Sequence, residues 1–87
     1  MQEANQDGNS VGFMVMVKNG ETWDGFGFRL FRIVPRVGEY ITMNDEAGQG
    51  QAYRVKAIFH PLEFLPDCAG DLILEHAGTD VAVRGGL

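Results

Sequence analysis

The chain has 87 residues, one cysteine and a formal net charge of −5. That length bounds it to one domain with a modest core, and a hydrophobic fraction of 45% excludes general disorder. No apolar run approaches the roughly 18 residues of a membrane span, and no secretory leader is expected because the start lacks a basic stretch followed by an apolar block. Cys68 alone excludes an internal disulfide framework and fits a reducing compartment, so a cytoplasmic location is expected.

Met1 to Ser10 is polar and without period, which predicts a mobile tail ahead of a single domain over residues 11–87. Val11 to Lys18 alternates as a strand, with Val11, Phe13, Val15 and Val17 on one face and Met14 and Met16 on the other. A strand that is apolar on both sides is either central or covered by another chain. Met14 and Met16 are therefore the expected oligomer contact, in a homodimer or with a protein partner. Asn19-Gly20 is the strongest hairpin signal in the chain.

A second strand is read from about Phe26 to Ile33, where Phe26, Phe28 and Leu30 alternate with Gly27 and Arg29. The period breaks at Phe31 to Val34, which allows a bulge or one short helical turn before Pro35. Pro35-Arg36-Val37-Gly38-Glu39 then leads into a hairpin whose strands flank the polar turn Asn44 to Gly50. Its second run, Tyr53 to His60, keeps its hydrophobes on one side only if an extra residue sits near Lys56-Ala57. A bulge of that kind bends a strand, as closing a small barrel demands. Pro61 to Pro66 reads as a loop, Asp71 to His76 as a strand, Ala77 to Asp80 as a turn, and Val81 to Arg84 as a last strand. The whole predicts an all-β fold, a small SH3-like or OB-like antiparallel barrel of about five or six strands.

Pro35-Arg36-Val37-Gly38-Glu39 followed by Tyr53-x-Val55-x-x-Ile58-x-His60 resembles small uncharacterised bacterial β-barrel proteins of the kind carried by phages or mobile gene cassettes. The resemblance spans residues 35 to 60 and implies a fold without an assigned activity. A second stretch, Asp24-Gly25-Phe26-Gly27-Phe28-Arg29-Leu30-Phe31, resembles the RNP1 motif of cold-shock and RNA-recognition domains. There alternate aromatics stack on unpaired bases, each worth about 1–3 kcal/mol. That likeness implies single-stranded nucleic-acid binding through Trp23, Phe26, Phe28, Arg29 and Arg32. Two positions depart from the motif: Asp24 stands where the family has Lys or Arg, and Arg29 where it has an aliphatic residue.

The charges divide along the chain. Arg29, Arg32, Arg36, Arg54 and Lys56 make its middle basic, while both ends are acidic. His60, Glu63, Cys68 and His76 are the residues that come nearest to a metal constellation, but their spacing follows no zinc pattern. No catalytic set and no metal or cofactor site is read from the sequence. The expected function is a non-enzymatic binding or self-association module, with single-stranded nucleic-acid binding as the alternative.

Overall fold

A computed structural model describes residues 10–63 and 67–87. The expected N-terminal tail, apart from Ser10, and residues 64–66 of the proline-bracketed loop lie outside the described residues. Five strands, β1 (Val11–Asn19), β2 (Thr22–Phe31), β3 (Tyr40–Asn44), β4 (Gly50–Phe59) and β5 (Gly70–Thr79), precede one short helix, α1 (Asp80–Gly85). The strands form one sheet in the order β2-β1-β5-β4-β3, curled into a half-barrel. The fold is thus all-β and barrel-like, as its many short alternating runs imply. Neighbouring strands run antiparallel except β1 and β5, which run parallel at the middle of the sheet. Among the described residues no helix is long and apolar enough to cross a membrane.

Side chains of opposed residues share a sheet face, so the register sorts the molecule into rows. One row crosses four strands as Gly27, Val15, Leu72 and Ile58, and the next as Asp24, Val17, Leu74 and Val55. These rows face the hollow of the curl. Phe13, Val15, Val17, Val55, Leu72 and Leu74 are buried there as one cluster, with Ile41, Phe31 and Ile58 packed against it. On the convex face run Phe28, Met14, Asp71 and Phe59, then Gly25, Met16, Ile73 and Ala57.

The bend in β4 comes from the extra residue expected there: its register with β5 slips between Val55 and Ala57, leaving Lys56 over. Ile58 consequently returns to the side of Tyr53 and Val55. The approach to β3 is tied to the same strand. Gly38, at φ +94°, donates its N–H to Val55 O at 2.9 Å, and Val55 N–H donates to Glu39 O at 2.9 Å. Glu39 Oε1 closes the turn by accepting from Arg36 N–H at 2.8 Å.

The last expected strand, Val81 to Arg84, is instead helix α1. Its Val-Ala-Val alternation suits a strand, but the residue before it decides the matter. Thr79 is an N-cap whose Oγ1 accepts from Ala82 N–H at 3.2 Å. Asp80 in the first turn and Arg84 in the last complement the helix ends and pair with each other at i,i+4.

Candidate functional site

The curl leaves an opening on its hollow side, between edge strand β2 and the β3–β4 turn. An open cleft of roughly 660 Å³ lies there, lined by Phe26, Arg29, Met43, Asp45, Glu46 and Tyr53 among others. A second recess of roughly 380 Å³ shares Phe26, Asp45 and Tyr53 and adds Asp24, Gln51 and His76. Three rings form the floor. Phe26 stands edge-to-face on Tyr53 with centroids 5.3 Å apart, and Tyr53 tilts against His76 at 5.2 Å. Such edge contacts hold the rings in one orientation as well as filling space.

A bulge brings Phe26 into this cleft. β1 pairs regularly with β2 from Val11 to Val15, but Val15 faces Gly27 while Met16 faces Gly25, so Phe26 is the residue left over. Gly27, at φ +80°, supplies the backbone turn that a residue bearing a Cβ resists. The alternation expected of Phe26, Phe28 and Leu30 therefore breaks at Gly27: Phe26 packs on the core from the hollow side, while Phe28 lies opposite Met14 on the convex side. There the Phe28 ring covers Gly12 so closely that a Cβ on Gly12 would overlap it.

Asp45 organises the polar rim. Its Oδ1 accepts from Ala47 N–H and Gln49 N–H, both at 2.9 Å, and its Oδ2 accepts from Gln51 Nε2 at 3.0 Å. The Gln49 N–H bond, with the Gln51, Ala47 and Gly48 donors, holds the carboxyl below its ordinary value against a smaller desolvation effect. Gln51 reaches onward, its Oε1 2.8 Å from His76 Nε2. Opposite them Asp24 accepts from Asn19 Nδ2 at 2.6 Å. Burial, then the negative fields of Asp45 and Asp24, pushes the Tyr53 phenol above its ordinary value.

The expected ligand residues are thus divided. Phe26 and Arg29 face the cleft, whereas Trp23 and Phe28 lie exposed on the convex face, Trp23 under the Lys18 ammonium at 5.6 Å. Arg32 lies past the end of β2 and is exposed. Met14 is 39% exposed and Met16 half-buried on the convex face, beside Phe28. Of the residues that come nearest to a metal constellation in the sequence, Cys68 directs its Sγ toward Gly70 O at 3.3 Å and His76 sets its Nε2 against Gln51. Tyr53, Asp45 and Gln51 were not among the residues the sequence marked as a site. They meet His76 only through pairing between distant strands, and no local motif signals that. No known protein-family model, curated protein or solved structure matches the chain.

Proposed function

We propose that the chain is a non-enzymatic binding module that takes a basic side chain of a partner protein into the open mouth of its half-barrel. The observation that carries this reading is the meeting of the Phe26, Tyr53 and His76 rings with the Asp24, Asp45 and Glu46 carboxylates around two recesses that share Phe26, Asp45 and Tyr53. Aromatic faces attract a Lys or Arg head group within about 6 Å. The three carboxylates outnumber Arg29, the one cation among the described residues of the mouth, and so supply the counter-charge, and a net charge of −5 draws basic segments from a distance. Binding is favoured over acid–base catalysis because the shifted groups at the rim move away from neutrality, Asp45 downward and Tyr53 upward. We place the protein in the cytoplasm, where the Cys68 thiol stays reduced.

The single-stranded nucleic-acid reading draws on Trp23 and Phe28 with Lys18 nearby, a smaller platform on the other face. One titration separates the two. Amide correlation spectra of the full chain, recorded against a lysine-rich peptide, are expected to show saturable shifts at Asp45, Gln51, Tyr53 and His76, weakened in Glu46→Gln. Silence at these positions would sink the proposal. So would a stronger response to a short oligo-deoxythymidine centred on Trp23 and Phe28.

A further inference from the structure

β2 ends the strand order and pairs with β1 alone among the described strands. An edge of this kind offers a row of backbone donors and acceptors to any extended chain, and proteins commonly blunt it with bulges and inward charges. β2 carries both devices: the bulge at Phe26, and Asp24 and Arg29 on the hollow face. Neither charge has a counter-ion among the described residues. Among the described residues Asp24 accepts only from Asn19, and Arg29 donates only to the neighbouring Phe28 carbonyl at 3.1 Å.

From these placements we propose that β2 pairs antiparallel with the β2 of a second copy of this chain, about a two-fold axis at Gly27. With Phe26 set aside as the bulged residue, the strand reads the same from both ends. Gly27 meets its own copy, Gly25 faces the partner's Phe28, Asp24 faces the partner's Arg29 and Trp23 faces the partner's Leu30. Each of these pairs lies on one face of the joined sheet, because Trp23, Gly25, Phe28 and Leu30 are convex and Asp24, Gly27 and Arg29 are concave.

The devices that repel a foreign strand thus become a selection for self. A foreign strand leaves two charges uncompensated, whereas this register supplies an opposite charge to both, twice by symmetry. Moving the axis to Asp24 or to Arg29 sets like charges against each other. The same pairing joins Trp23 and the partner's Leu30 into the exposed apolar area that Met14 and Phe28 begin on the convex face. The pairing does not rest on what the mouth binds, but it shares residues with it: Asp24 lines the second recess and Arg29 the open cleft, so the test reads molecular mass without any peptide present.

Charge reversal tests it on the full chain. Sedimentation equilibrium should give twice the monomer mass at high concentration, with association weakening as salt rises. Asp24→Arg and Arg29→Asp, each checked for folding by circular dichroism, should each remain monomeric. Mixed together they should associate, since every pair then joins opposite charges, and the double variant should dimerise alone. A monomeric wild-type protein at millimolar concentration would overturn the proposal. So would a dimer indifferent to both reversals but dissolved by Met14→Lys, which would seat the second copy on the convex face instead.

Discussion

The carbonyl oxygen of Phe59 occupies the place where a side chain on residue 70 would begin. A Cβ built on Gly70 overlaps that oxygen and approaches Pro61 Cδ to 3.4 Å, and the residue holds φ +150° at the start of β5. The close approach lets β4 and β5 stay paired to their ends, with Phe59 opposite Asp71. Gly70→Ala meets backbone, which cannot swing aside as a flexible side chain does. It is expected to cost about 3 kcal/mol or more. Urea denaturation checks this, and a variant within about 0.5 kcal/mol of wild type would show that the strand ends part freely.

Leu74 is fully buried between Val17 on one side and Val55 on the other. Leu74→Ala should lose about 2–5 kcal/mol, the range of buried leucine truncations. For so small a domain that is a large share of the usual total of about 5–15 kcal/mol. Met14→Ala, on the exposed face, should shift the denaturation midpoint of the monomer far less. Equal losses would contradict the assignment of inner and outer faces.

Acid should loosen the β3–β4 turn before the core. The Asp45 pKa is depressed in the folded state, so its contribution is present above the ordinary Asp pKa of about 3.9 and disappears as pH falls through the lower folded value. Amide exchange at Ala47 and Gln49, whose N–H groups bond Asp45 Oδ1, should quicken across that window. In Asp45→Ala the same exchange should be fast at neutral pH. An exchange profile unchanged by the substitution would deny the carboxylate its organising role.

Alkali probes the mouth with the opposite sign. Tyr53 has a raised folded pKa, so the fold favours its neutral phenol, and the stability tied to it falls as pH rises above about 10. Absorbance of the phenolate should show one tyrosine titrating late. Asp45→Asn, which removes one of the two negative fields, should bring that titration earlier. A titration unmoved by the substitution would remove Asp45 from its causes and leave burial and the Asp24 field.

Much of the architecture is legible in the residues. The alternation of β1, the hairpin signal at Asn19-Gly20 and the broken period at Lys56-Ala57 each depend on neighbours along one strand, and each marks the right place, although Asn19 stays paired with Thr22 and the turn residues are Gly20 and Glu21. The bulge at Phe26 escapes that reading. Gly-Phe-Gly-Phe alternates perfectly in letters, and only the register against Met16 and Val15 shows that Phe26 is left over. Helix α1 escapes for a related reason, since Val81 to Val83 alternates and the Thr79 cap outweighs it. The mouth is less legible still. Tyr53 and His76 face each other because β5 slips by one residue at Ala77, an event with no mark in either strand alone.

The parallel junction of β1 with β5 has a consequence for how the molecule is made. During synthesis the β1–β2 hairpin leaves the ribosome before β5, so Phe13, Val15 and Val17 find their neighbours Leu72 and Leu74 only once β5 has emerged as well. Until then the nascent hairpin exposes an oily flank that nothing local covers, and closing so long a loop is slow. Ribosomal pausing anywhere before residue 70 therefore prolongs the interval in which aggregation or chaperone capture competes with folding.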